Sequence, residues 1–234
     1  MGAIYRREIN SFFTSSIAYI FLSVFFLCSG YFFYRGTLLS ATTDMSSMFS
    51  ALFMVILILI PVLTMKLLSE EIKQKTDQGL LTAPVSLWSI VLGKYFAALT
   101  LYIIGISIVF IYALILSYFG TVVWATVVAN YLALILLGSA FISVGTFVSS
   151  MTENQMSSAA ASFLVLMLLY MIDSIATLFD NEFIKDALTS LSFYTRYLEF
   201  TMGIFNLSSV IFYLSIGFLF NFFTVRVLEK RRWS

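Results

Sequence analysis

Six apolar runs divide this chain, and their length decides most of what it can become. They occupy residues 17–34, 48–68, 95–119, 124–148, 157–179 and 207–227. Each is close to the ~20 residues an α-helix needs to cross ~30 Å of hydrocarbon. No water reaches the backbone in such a layer, so each segment has to pair its own N–H and C=O groups, which a helix does and a lone strand does not. The runs predict an all-α membrane protein with six transmembrane helices in one domain, residues 1–234. Composition agrees: 61% of residues are hydrophobic and 11% charged, with a mean hydropathy of +0.99, outside the range of a water-soluble domain.

Orientation follows from the cations. With a cytoplasmic N-terminus, the inner segments hold Arg6, Arg7, Lys66, Lys73, Lys75, Lys94, Arg226, Lys230, Arg231 and Arg232, and the outer ones only Arg35, Lys185 and Arg196. Ten against three fits the positive-inside rule. Both termini and the segment after the second run are therefore expected in the cytoplasm of a multi-pass protein.

Several chemistries are excluded. There is no His and one Cys, Cys28, too few for a His/Cys metal site or an internal disulfide. Gly93-Lys94 is followed by Tyr95, with Trp88 where the first glycine of a Walker A loop belongs. ATP and Mg, if used, must be bound by another chain. The chain itself is expected to hold no cofactor, metal or catalytic residue and to have no nucleic-acid partner, a point on which its net charge of +1 says nothing. Residues 1–14 lack the apolar core of a cleavable signal peptide, and Arg6 stands where a myristoylation motif wants Ser or Thr.

The segment 69–94 is the main interruption of the apolar pattern. Glu70, Glu71, Lys73, Lys75 and Asp77 fall in one short run that has to sit in water. Glu70–Lys73 and Glu71–Lys75 have helical spacing with the acid first, worth ~0.3 kcal/mol each. Gly79 offers a left-handed stop, Pro84 a break and Ser86 an N-cap for the next helix. Leu80, Leu81, Ala83 and Val85 form an apolar knob between them. Either the knob folds back on the helix ends or it plugs into another protein.

Residues 1–16 place Ile4, Tyr5, Ile9, Phe12 and Phe13 on one helical face and Arg6, Arg7 and Asn10 on the other. That suits an interfacial helix anchored to headgroups by Arg6 and Arg7, or an extension of the first span. Pro61 is expected to kink the second span. Gly138, Ser139, Ser143, Gly145 and Ser149, and the run Ser157–Ser162, mark close helix packing within or between chains. Asp173 is the acid inside an apolar run, satisfied either by Ser174 or the outer loop, or used as a proton relay. Residues 180–206 are too apolar for a free loop and too broken for a span, and read as one or two short re-entrant or interfacial helices.

Ser69-Glu70-Glu71, Lys73, Thr76, Leu80-Leu81-Thr82, Pro84-Val85-Ser86 and Ile90-Val91-Leu92-Gly93-Lys94 resemble the signature of ABC-2 type transporter permeases, most closely the gliding-motility-associated subgroup. Glu8-Ile9-Asn10-Ser11-Phe12-Phe13, the run Ser149–Gln155 and the region Leu191–Gly203 extend the likeness over nearly the whole chain. The resemblance implies a permease half of an ABC transporter, an exporter of the bacterial cytoplasmic membrane, with a cytoplasmic coupling helix in 69–94. Its partners would be separate ATPase subunits, a second permease copy or relative, and an extracellular or membrane-anchored accessory protein. By the same likeness Glu70, Glu71, Lys73, Thr76, Leu80, Leu81, Pro84 and Val85 carry the coupling contacts, with Glu153, Asn154 and Gln155 in the second cytoplasmic loop. Asp77-Gln78-Gly79-Leu80 departs from relatives that carry an acid just before the paired leucines. Two other classes stay open: an ion-coupled secondary transporter, with one long loop inside and one outside, and a non-transporting scaffold of an ATPase-driven envelope complex.

Overall fold

The computed structural model describes residues 1–76, 85–179 and 181–233. Helices α1 (Gly2–Thr14) and α2 (Ser16–Phe33), the latter ending in a π-helical turn at Tyr34–Leu38, are followed by α3 (Ser46–Thr64) and the short α4 (Ser69–Lys73). Then come α5 (Leu87–Ile106), α6 (Ile108–Phe119), α7 (Trp124–Met151), α8 (Gln155–Tyr170) and α9 (Ile172–Ala176). Two short helices, α10 (Glu182–Ser190) and α11 (Phe193–Thr201), precede α12 (Leu207–Trp233).

Five helical stretches are long and apolar enough to cross a membrane: Ser16–Leu38, Ser46–Lys73, Leu87–Phe119, Trp124–Met151 and Leu207–Arg232. The run 157–179, expected as one span, is instead two helices. The 16 residues of α8 reach roughly 24 Å at ~1.5 Å per residue, and a break at Met171 separates them from α9. The third stretch also starts earlier than the apolar run, at Leu87, and is interrupted at Ser107, whose hydroxyl donates to the Ile103 carbonyl at 2.7 Å. Helix α3 continues through Pro61 and gives way at Met65–Leu68.

Helix α7 is the centre of the bundle, packed against α3, α5, α8, α11 and α12. It is apolar all round, as a helix enclosed by others has to be. Two glycines decide who its neighbours are. A Cβ on Gly138 would lie 2.2 Å from the Tyr102 ring of α5, and one on Gly145 would lie 2.2 Å from the Thr64 hydroxyl of α3. These two glycines thus serve packing inside this chain. Phe53 of α3 sits among Phe141, Tyr170, Tyr194 and Tyr197 with ring centroids 5.2–5.8 Å apart, joining α3, α7, α8 and α11.

The bundle has two distinct ends. At one, Leu68, Ile72, Val91, Val225 and Leu228 pack together, gathering α4, the start of α5 and the end of α12. At the other lie α9, α10, α11 and the start of α3. Here Tyr197 donates to the Phe49 carbonyl at 2.8 Å and Ser46 Oγ to the Thr201 carbonyl at 3.3 Å. Helix α11 buries Phe193, Tyr197 and Phe200, whereas α10 buries nothing.

Candidate functional site

The end that carries α4 concentrates the charge. Lys94 is the first residue to place, because its side chain is 1% exposed and sits in a row of core positions, Ile90, Val91, Ala97, Ala98 and Leu101, on α5. A lone ammonium there would cost several kcal/mol. Two carboxylates meet it: Glu8 of α1 and Glu71 of α4, each 3.0 Å from Nζ. Arg7 closes the figure, binding Glu8 at 2.9 Å and Glu71 as well. Two cations and two anions therefore cancel in a clasp that joins α1, α4 and α5. Burial opposes the Arg7 charge, but hydrogen bonding to Glu8 and the field of Glu71 outweigh it and hold the guanidinium pKa above its ordinary value.

The backbone around the clasp is fitted to it. Gly93 lets α1 lie directly on α5, since a Cβ there would be 3.0 Å from Ile4. Tyr5 exchanges a hydrogen bond with Thr100 at 3.0 Å. Where α3 gives way to α4, the freed backbone groups find a partner on α7: Ser149 Oγ accepts from the N–H of Leu68 and Ser69, both at 3.1 Å, and donates to the Met65 carbonyl at 3.2 Å. A side chain from a different helix thus supplies the cap that α4 lacks locally.

The sequence-derived residues fall into three groups. Glu71 is in the clasp, and so is Arg7, which faces carboxylates rather than only the headgroup side; Arg6 is exposed. Glu70 binds Lys66 at 3.5 Å and accepts from Gln74 at 3.3 Å. Lys73, Thr76 and Val85 are exposed around the same end. Glu153 is exposed in the α7–α8 connection, Asn154 caps α8 through the Met156 N–H at 3.0 Å, and Gln155 opens that helix. Leu80, Leu81 and Pro84 lie outside the described residues, as does Gly79.

Two local expectations are corrected. The pairs Glu70–Lys73 and Glu71–Lys75 do not form among the described residues, because Glu71 turns inward to two cations and Glu70 turns back to Lys66. The helix also stops before Gly79: Lys75 itself adopts a left-handed φ of 56°. Helical spacing does not pair Glu8 with Lys94. The available signal was a charge in the core phase of each helix, Glu8 between Ile4 and Phe12 and Lys94 between Ile90 and Ala98.

Asp173 lies at the opposite end, at the α8–α9 break. Its Oδ2 accepts from Ser192 Oγ at 2.5 Å and Thr195 Oγ1 at 3.0 Å, and Ser192 in turn caps α11 through the Thr195 N–H at 3.1 Å. Its partners are therefore in the 180–206 segment and not Ser174.

Comparison with protein families gives a match over residues 3–225 to the family described as ABC-2 family transporter protein. Comparison with curated proteins gives no significant match.

Proposed function

Because the chain belongs to the ABC-2 family of transporter proteins, and is thereby the membrane subunit of an ABC transporter, we propose that the α4 end is where it receives the work of its ATPase partners. ATP and Mg are held by those partners. The supporting observation is the clasp: α4 is tied by Glu71 to Lys94 on α5 and Arg7 on α1, and by Ser149 to α7. A push on residues 74–85 is then delivered to four helices at once rather than absorbed by a hinge. In this reading 69–94 is the coupling segment, with Leu80, Leu81, Pro84 and Val85 as its contact surface and Glu153, Asn154 and Gln155 beside it. Glu71 is a positioning residue and does not itself meet the ATPase, whereas Glu70, Lys73 and Thr76 do.

The same reading places the α4 end and both termini in the cytoplasm of a bacterial cytoplasmic membrane, with α1 as the interfacial helix, Arg6 its headgroup anchor, and α10 and α11 outside. A sixth crossing is made by α8 together with α9. Two such chains, identical or related, enclose the path, and the direction is export. The narrower likeness to gliding-motility-associated permeases, and with it an envelope accessory partner, rests on the motif residues quoted above.

Co-purification with the cognate ATPase subunits, followed by reconstitution in liposomes, tests this. Leu81→Ala with Pro84→Ala is expected to leave the permease folded and to abolish its effect on the ATPase rate. An unchanged rate in that variant, or solute uptake driven by an ion gradient without the ATPase, overturns the proposal.

A further inference from the structure

A groove that the transport reading does not use runs between α5 and α12 and opens to the outside of the bundle. Trp88 and Leu92 of α5 form one wall and Leu214 and Phe218 of α12 the other, enclosing about 360 Å³. Leu214 and Phe218 are 56% and 66% exposed. The floor is low because α12 carries Gly217 there, and nothing lies within 4 Å of where its Cβ would be. Tyr95 and Asn221 flank the floor, but their donors are spent on the Ser139 and Gly217 carbonyls at 3.3 and 2.8 Å. The groove thus suits an apolar occupant.

Its mouth carries positive charge. Trp88 stacks on Phe218 and meets Phe222, with ring centroids 6.0 and 6.3 Å apart, and the Arg226 guanidinium lies 4.9 Å over Phe222. From Arg226 to Arg232 the helix holds four cations, Arg226, Lys230, Arg231 and Arg232, against one acid, Glu229. Glu229 pairs with Arg226 at 2.7 Å, and the other three cations have no ion pair among the described residues. Indole rings collect at the level of lipid headgroups, and cations on long stems reach up to it. Arg226 stands twelve residues beyond Leu214, ~18 Å at ~1.5 Å per residue, against ~15 Å for one leaflet of a ~30 Å hydrocarbon core. A molecule with an anionic head at Arg226 and a tail in the groove is therefore one leaflet long. A second copy of the chain in the same orientation would instead bring the same excess of cations to that level.

We infer that the α5–α12 groove binds an anionic phospholipid, with one acyl chain between Trp88 and Phe218 and the headgroup at Arg226 and Lys230.

The test uses the full chain in phosphatidylcholine nanodiscs, with Trp124→Phe and Trp233→Phe so that Trp88 is the only indole left of three. Phosphatidylglycerol or phosphatidylcholine with brominated acyl chains is mixed in at stepped mole fractions, and quenching of Trp88 fluorescence reads a chain in the groove. Half-maximal quenching is expected at a mole fraction about fivefold or more lower for phosphatidylglycerol, the scale of one cation near an anionic lipid. Arg226→Gln with Lys230→Gln should remove that preference and leave quenching by phosphatidylcholine unchanged; both side chains are exposed, so the bundle does not need them to fold. Gly217→Leu fills the groove and should weaken quenching by both lipids. Equal quenching by the two lipids, a preference that survives the double Gln variant, or quenching untouched by Gly217→Leu overturns the inference and leaves ordinary surrounding lipid. No quenching by either lipid overturns it as well and gives the groove to a second copy of the chain.

Discussion

The two ends of the bundle are closed by different chemistry. At the α4 end charge meets charge: Lys94 and Arg7 with Glu8 and Glu71, Lys66 with Glu70, and Arg226 with Glu229. At the other end no ion pair occurs among the described residues. There Asp173 accepts from two hydroxyls, Arg196 donates to the Ser190 carbonyl at 2.7 and 3.0 Å and lies 4.5 Å over the Phe212 ring, and Glu199 accepts from Asn206 and Ser209. Tyr197 and Tyr213 each donate to a backbone carbonyl at 2.8 Å. Burial keeps the Tyr197 phenol pKa well above its usual range, so it stays a donor.

Ion pairs fall off slowly with distance and can exchange partners, whereas hydrogen bonds weaken steeply once misaligned. At the α4 end the compensated charges are joined by directional bonds linking Ser149 to Met65, Leu68 and Ser69. The opposite end is held in register by directional bonds.

Lys94→Met should have the largest effect at the α4 end. Removing the buried cation leaves two carboxylates to share Arg7, and a loss of about 3–5 kcal/mol is expected in thermal or denaturant unfolding of the full chain. Adding Glu8→Gln should restore part of it. A loss as small as that of an exposed lysine would make the two ends equivalent.

Asp173→Ala comes next, at about 1–3 kcal/mol, because Ser192 and Thr195 lose a shared acceptor and α11 loses its tie to the α8–α9 break. Hydrogen exchange should locate the loosening in α11 and spare α4. Spread to α4 would show that the ends are not separable.

Ser149→Ala should cost about 1 kcal/mol, the usual worth of a helix cap, and increase exchange at the Leu68 and Ser69 amides. Protection unchanged at those amides would mean that α4 is held by its charges alone.

Arg7→Ala should have the smallest effect. Its side chain is 52% exposed, so solvent screens it and at most about 1 kcal/mol is expected, shrinking further as salt is raised toward ~1 M. Unfolding measured at low and high salt checks this, and a large salt-independent loss would move Arg7 into the buried part of the clasp.

Features completed within one helical turn were legible in the residues, and features that need a partner from another helix were not. Ser86 was legible as the cap of α5, and its hydroxyl does accept from the Ser89 N–H, because a cap is completed within one turn. Gly138 and Gly145 were legible as close-packing positions, but not Tyr102 and Thr64 as what they receive, since periodicity names a face and not its neighbour. The break at Met171 is marked in the run only by Asp173 and Ser174 just beyond it, a signal that names a polar site but not an interrupted helix. Helical spacing assigned Glu71 to Lys75, and tertiary partners outbid that exposed pair, which is worth only a few tenths of a kcal/mol. Lys94 was legible as a cation at a membrane boundary, though not as a buried one.

Sequence alone determined that the chain is helical and that its charges collect at helix ends. Both follow from rules acting over a few residues: a backbone in lipid pairs four residues along, and charge avoids hydrocarbon. Which charge meets which was decided only in three dimensions. Arg7 and Glu71 stand 64 positions apart, and Glu8 and Lys94 stand 86 apart. No local rule reaches that far; only the packing of α1 and α4 against α5 brings them within 3 Å.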